Sequence, residues 1–151
     1  EETPSDTEEA PAAEQPQFVN HSGGAQGADS AWDDIGQEFG VESNHYHMGG
    51  KWHPTENATE AGHRHTHDVV RTPEEHAEID AQLEHVGNVL QNSRWPDKEG
   101  VARNYFRRNV EQVKQSDAIF AIGKLTSDQS QVAGGTGWAV EYAKQSLVCS
   151  C

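Results

Sequence analysis

Long apolar runs are missing from this 151-residue sequence, and basic residues are few. No stretch of about 18 apolar residues occurs, so no segment qualifies as a bilayer-spanning helix. Lys and Arg together number 11 against 25 Asp and Glu, which gives a formal net charge of −14. Nucleic-acid binding needs clustered positive charge to neutralise phosphates, and this chain carries the opposite field. An anionic membrane surface would repel it for the same reason. Cysteine is nearly absent: only Cys149 and Cys151 occur, at the very end. Alternate positions on a strand point to opposite faces, which disfavours a disulfide between them. There is no disulfide framework and no paired CxxC zinc pattern, so a reducing cytoplasm is the expected setting. Apolar residues make up 33% of the chain, and mean hydropathy is −0.87. Both are low for a globular domain, which implies a disordered part or an unusually acidic surface.

The charge is unevenly spread. Residues Glu1 to Gln17 hold six acids, no base and three prolines, with no apolar residue larger than Ala or Pro. Such a segment cannot bury enough surface to offset its ordering entropy, and we expect a disordered acidic tail over 1–17. It lacks the basic start and apolar stretch of a signal peptide. Subtracting its six charges from −14 leaves −8 on residues 18–151, the expected single domain.

That domain alternates strand and helix signals. Phe18 to His21 leans apolar and runs into Ser22-Gly23-Gly24-Ala25-Gln26-Gly27-Ala28-Asp29. Ala28, Trp32, Ile35 and Phe39 then recur at helical spacing, with Gly40 as a stop and Trp32 expected in the core. Val41 to Met48 suits a second strand. Gly49 to Pro73 has no clear period and reads as a long loop. Thr72-Pro73-Glu74-Glu75 is a strong helix start: a capping hydroxyl, proline at the first helical position, then acids. Ile79, Leu83, Val86 and Leu90 mark its inner face. A further helix is expected over Val101 to Gln115, with Ala102, Phe106, Val110 and Val113 on one side. Ala118-Ile119-Phe120-Ala121-Ile122 reads as a central strand covered on both faces. Val132-Ala133-Gly134-Gly135-Thr136-Gly137 is a second Gly-rich turn, Trp138 to Gln145 its helix, and Leu147 to Cys149 a last short strand. The alternation predicts an α/β layered domain with a mainly parallel sheet.

The two Gly-rich turns carry the clearest chemistry. Glycine permits positive φ and close approach of backbone to a ligand. A helix start adds unpaired N–H groups and the positive end of the helix dipole, and together these form a phosphate site. At the carboxyl edge of a parallel sheet, two such turns can flank one crevice. Asp29 either caps the first helix or reaches a ribose hydroxyl. Trp138 either stacks on a base or packs on the sheet. Asp117 reads as a helix-to-strand turn residue.

Ser22-Gly23-Gly24-Ala25-Gln26-Gly27-Ala28-Asp29 resembles the turn of the SLOG superfamily, which includes the DNA-processing protein A fold and the LONELY GUY phosphoribohydrolases. The run from Arg107-Arg108-Asn109 through Ser116 to Gly123, then Gly134-Gly135-Thr136-Gly137-Trp138-Ala139, resembles a small single-domain branch of it. The resemblance spans about Phe18 to Val148. It implies a Rossmann-like three-layer nucleotide-binding fold, no metal and no cofactor, and a homo-oligomer, a dimer or larger. The ligand residues it implies are Ser22, Gly23, Gly24, Ala25, Gly27, Asp29, Gly134, Gly135, Thr136, Gly137 and Trp138.

The phosphoribohydrolases carry Gly-Gly-x-Gly-Thr-x-x-Glu and a catalytic arginine on a preceding helix. Gly134 to Glu141 matches in part: Glu141 takes the Glu position, and Trp138 replaces the usual Thr. Arg107 or Arg108 would supply the arginine, and periodicity does not choose between them. In that chemistry a carboxylate stabilises an oxocarbenium-like ribosyl centre while an arginine holds the phosphate. Three functions therefore stand at this stage: a nucleotide-binding sensor or processing domain, an N-glycosidic hydrolase of nucleoside monophosphates, and a non-catalytic assembly subunit. The nine histidines offer a rival pattern, since His45 and His47, and His63, His65 and His67, lie at i, i+2 spacing. On extended backbone such pairs share a face and can ligate zinc or copper.

Overall fold

The computed structural model describes residues 17–24, 28–48, 65–91 and 93–148. The acidic segment 1–16, Ala25 and Gly27, the histidines at 53 and 63, and both cysteines lie outside the described residues.

The chain is an α/β domain with a small parallel sheet. Strand β1 is Val19–Ser22, helix α1 Ala28–Glu38, β2 Glu42–His47 and β3 His65–Asp68. Helices α2 (Pro73–Val89), α3 (Val101–Lys114) and α4 (Gly134–Val148) follow. The sheet order is β1-β2-β3. Val19 pairs with Glu42 and Ser22 with His45, and Asn44 pairs with His65. The expected loop from Gly49 to Pro73 therefore contains a strand. Its sequence, His-Thr-His-Asp, has no apolar alternation to announce it. No helix among the described residues is long and apolar enough to cross a membrane.

Local chemistry fixes the helix ends. At α2, Thr72 Oγ1 accepts from the Glu75 amide at 3.2 Å while the Glu75 carboxylate accepts from the Thr72 amide at 2.8 Å. This reciprocal capping box, with Pro73 in the first turn, is the start the sequence predicts. Helix α1 ends in a Schellman motif. Gly40 N–H donates to the Gln37 carbonyl and Val41 N–H to the Gly36 carbonyl, at 3.1 and 2.8 Å. Gly40 takes φ +70°, which suits a residue without Cβ.

The hydrophobic core lies among the helices rather than against the sheet. Ile79, Leu83 and Val86 of α2, Val110 of α3, and Trp138 and Tyr142 of α4 are buried together, with Leu90, Trp95, Phe106 and Val113 packed around them. Each buried aliphatic side chain contributes about 1.5–3 kcal/mol of transfer free energy. On the sheet and its covering helix the buried positions are mostly polar: Ser22, Asp33, Ser43 and His45.

Three further expectations are corrected. Trp32 is not a core residue; it is 46% exposed, and Ile35 and Phe39 are exposed beside it. Helix α1 instead turns Asp33 inward, because that carboxylate meets His45. Residues 118–122 form no strand, and Phe120 and Ile122 are about 80% exposed. A short apolar run does not specify a ladder partner. Here the chain beyond it folds back on itself through a Leu125–Val132 bridge and an Ala133 N–H to Lys124 carbonyl bond of 2.7 Å. Leu147 and Val148 end α4 rather than forming a strand. No Gly or Pro stop separates them from the helix before them.

Candidate functional site

The site begins where β1 ends. Ser22, Gly23 and Gly24 are all buried. Gly24 takes φ +68°, and its N–H donates to Ser22 Oγ at 3.2 Å. Gly23 N–H donates to Asp29 Oδ2 at 3.2 Å, across the turn. Asp29 thus fastens the glycine turn to the first turn of α1.

Helix α3 delivers the cation. Arg108 Nη1 donates to the Gly23 carbonyl at 3.3 Å. The guanidinium lies so close over Gly23 that an added Cβ would overlap it, which is a physical reason for glycine there. Burial pushes the Arg108 pKa below its ordinary value, and Asp29 and Tyr105 oppose that shift. The guanidinium also sits 5.3 Å from the Tyr105 ring centroid, a cation–π distance. Arginine stays charged throughout the accessible pH range, so the turn carries a fixed positive charge.

Arg107, one residue earlier, has a different fate. Its Nε and Nη2 bond the two Asp80 oxygens at 2.7 and 2.6 Å. Its Nη1 and Nη2 bond Glu99 at 2.8 and 2.6 Å, and Nη1 also bonds Asn104. Burial alone would lower the Arg107 pKa, but these bonds hold it above the ordinary arginine value. The hydrogen bond from Arg107 draws the Glu99 carboxyl down to about 2. Arg107 is therefore a structural ion-pair centre, which leaves Arg108 beside the glycine turn.

The second turn opens α4. Gly134 takes φ +73°, and Gly134, Gly135 and Thr136 are exposed at the helix start. A Cβ on the buried Gly137 would overlap the Val132 carbonyl. Asn109 Nδ2 donates to the Gly135 carbonyl at 3.4 Å. Consecutive α3 residues, Arg108 and Asn109, thus reach one glycine turn each. Trp138 takes the packing role of its two alternatives, although against helices rather than the sheet. It is 1% exposed, stacks on Phe106 at 4.0 Å and donates Nε1–H to Ser93 Oγ at 2.7 Å, so no base can stack on it. Glu141 is half-buried and accepts from Gln145 Nε2 on its own helix at 3.2 Å.

No known family, curated protein or solved structure matches this chain.

The histidines are distributed over both sheet faces. His45 Nδ1 lies 2.6 Å from Ser22 Oγ, and its Nε2 lies 3.1 Å from Asp33 Oδ2. His47 pairs with Asp68 at 2.8 Å. On the other face, His21 Nδ1 lies 2.8 Å from the Tyr46 hydroxyl, and His67 Nε2 lies 2.8 Å from Asn44 Oδ1. Each of these rings has a protein partner rather than a shared ligand position. His76, Asp80 and Glu99 bring ligand atoms together among the described residues. Both of those carboxylates are engaged by Arg107.

Sequence reasoning missed Asp33, the His45 bonding and Asn109. The available signal was polarity at strand positions where a parallel sheet is normally apolar. Ser22 of β1 and His45 of β2 needed polar partners; they bond each other, and Asp33 of α1 meets His45 across the layer.

Proposed function

We propose that this chain is a Rossmann-like three-layer domain that binds a nucleotide or nucleotide-derived phosphate ligand between its two glycine turns. The observation that carries the reading is the pair of α3 bonds, Arg108 to Gly23 and Asn109 to Gly135. One helix ties both turns, and it brings a guanidinium to the first. Each turn leads into a helix whose N-terminal N–H groups favour an anion. The layer arrangement supports the reading too. His45 and Tyr46 lie on opposite faces of β2. Asp33 of α1 meets His45, while Glu111 of α3 is near enough to Tyr46 to help burial raise its pKa. Local positive charge matters in a body of charge −8, because the overall field repels phosphate.

Between sensing and N-glycosidic cleavage, the geometry adds nothing to the second. Glu141 bonds within its own helix and Arg107 is occupied, so Arg108 is the arginine for either reading. The homo-oligomer remains part of the proposal, supported by exposed Trp32 and Ile35 on α1 and Phe39 just after it. Light scattering that returns a monomer at high concentration refutes it.

Isothermal titration with AMP, ADP-ribose and NAD tests the binding reading. Binding to at least one is expected. Arg108→Ala should weaken it by about 10-fold or more, since a hydrogen bond to a charged group contributes about 1.5–3 kcal/mol. No heat with any of the three refutes it.

A further inference from the structure

Phosphate binding does not require the chain of bonds behind the first glycine turn. Ser22 Oγ, the His45 ring and the Asp33 carboxylate are joined in series at 2.6 and 3.1 Å, and all three residues are buried. One neutral tautomer satisfies the whole series. Protonated at Nε2, the ring donates to Asp33 and leaves the Nδ1 lone pair to accept the Ser22 hydroxyl proton. These are the roles of nucleophile, base and orienting carboxylate. The two ring nitrogens are exchanged relative to the usual serine-hydrolase order. Gln37 Nε2 donates to the second Asp33 oxygen at 3.0 Å and fixes that carboxylate.

A buried polar network could serve packing alone. Two details reach further. Gly24 N–H points at Ser22 Oγ, where it stabilises negative charge that develops as the proton leaves. Arg108 holds a positive charge at the adjacent residue, Gly23. Base and amide donor therefore meet at one buried hydroxyl, and the cation is held at the next residue.

We propose that Ser22 is a nucleophile that accepts a phosphoryl group from a phosphoanhydride bound at this turn, with His45 as general base and Asp33 as its positioning residue. The choice of phosphorus as the electrophile rests on the phosphate-binding reading above. In the step, the Ser22 oxygen forms a bond to phosphorus as its proton passes to His45 Nδ1. The anhydride P–O bond breaks, and its electron pair leaves with the departing phosphate, which takes the proton from His45. Water then attacks the phosphoserine and gives a proton to His45. The Ser22–phosphorus bond breaks, the proton returns to Ser22, and inorganic phosphate or a phosphate monoester departs. The balance is one anhydride plus one water to two phosphates.

Diisopropyl fluorophosphate tests the nucleophile on the full chain without any nucleotide. Mass spectrometry of the peptide that carries Ser22 is the readout. A single diisopropylphosphoryl adduct at Ser22 is expected. Its formation should slow by about 100-fold or more in His45→Gln, as loss of a general base predicts, and by less in Asp33→Asn. An unmodified Ser22 in folded wild type overturns the proposal whether or not the variants fold. Equal labelling in a folded His45→Gln variant overturns it too. Calorimetry with AMP, ADP-ribose and NAD, run in parallel on wild type, separates the two readings. Heat without an adduct refutes the nucleophile and supports binding. An adduct without heat supports the nucleophile and refutes nucleotide binding.

Discussion

Whether Arg107 is structural decides which arginine would face the proposed ligand, so its ion pairs are the point to perturb. Arg107 is 2% exposed, and the Asp80 side chain is 21% exposed. Asp80 takes two guanidinium N–H bonds at 2.7 and 2.6 Å. Asp80→Ala removes one partner of a buried pair, a change that costs about 3–5 kcal/mol. Glu99 retains two bonds to the guanidinium, so the lower end, about 3 kcal/mol, is expected. At about 3–4 °C per kcal/mol for a chain of this length, the melting temperature should fall by about 10 °C. Glu99→Ala should cost no more than about 1 kcal/mol, because that side chain is 65% exposed and solvent screens its pair. Urea melts followed by tryptophan fluorescence read both, since Trp95 and Trp138 pack nearby. The network also sets an acid limb. Glu99 is drawn from the usual 4.5 to about 2, chiefly by the hydrogen bond from Arg107. Between those pH values the unfolded chain binds the extra proton. The stability from Glu99 is therefore complete above pH 4.5 and lost as pH falls toward 2. Glu99→Gln should flatten part of that limb. If Asp80→Ala costs less than about 1 kcal/mol, the pair behaves as a surface pair, and the exclusion of Arg107 from the ligand site fails.

Other perturbations separate the turn from the core. Gly23→Ala places a methyl against the flexible end of Arg108, so it should displace the guanidinium with little loss of fold. Nucleotide affinity should then drop about as far as in Arg108→Ala, by about 10-fold or more, and unchanged affinity would show that Arg108 does not reach the ligand. Burial lowers the His21 pKa from 6.5, against Asp117 and with some help from His67. The unfolded chain then binds the proton more readily, so this contribution is complete above pH 6.5 and lost as pH falls through that range. His21→Gln should remove that slope from a stability titration, and an unchanged slope would assign it to other groups. Hydrogen exchange should be slower for amides of α2 and α3 than for β1 and β2, because the large apolar side chains pack among the helices. Equal protection would contradict that division.

What could be read in the sequence tracks how local its cause is. The start of α2 was legible because the Thr72–Glu75 box and Pro73 act within one turn. The end of α1 at Gly40 was legible for the same reason. The inner face Ile79, Leu83, Val86 followed from helical period and a sizeable partner surface. Trp32 failed because period locates an apolar stripe but not the side on which the sheet lies. The buried bond between Asp33 and His45 outweighs that stripe in orienting α1. The run Ala118 to Ile122 failed because a strand needs a partner with a free edge, which no local pattern reports. Gly23 and Gly24 after β1, and the glycines that open α4, were legible as turn residues. The choice of Arg108 over Arg107 was not, since adjacent helix residues differ by about 100° and only tertiary contacts assign their directions.

The acidic composition acquires a more specific meaning once these pairs are placed. Arg71 bonds Glu111, Arg103 bonds Glu99, and Arg107 bonds both Asp80 and Glu99. In a chain with 25 acids and 11 bases, four of the five arginines among the described residues pair with carboxylates. Arg108 donates to a backbone carbonyl at a glycine turn, where burial lowers its pKa and the Asp29 carboxylate opposes that shift. A guanidinium held there in an otherwise negative protein favours an anion at that turn over one elsewhere on the surface. The buried Ser22–His45–Asp33 series behind that turn is satisfied by its own bonds. Each Asp33 oxygen has a partner, Gln37 Nε2 on one and His45 Nε2 on the other, and a buried carboxylate costs less when it is hydrogen-bonded. Charge at the turn and the proton chain behind it meet at adjacent residues, Gly23 and Ser22. Loss of Arg108 should weaken both anion affinity and Ser22 reactivity.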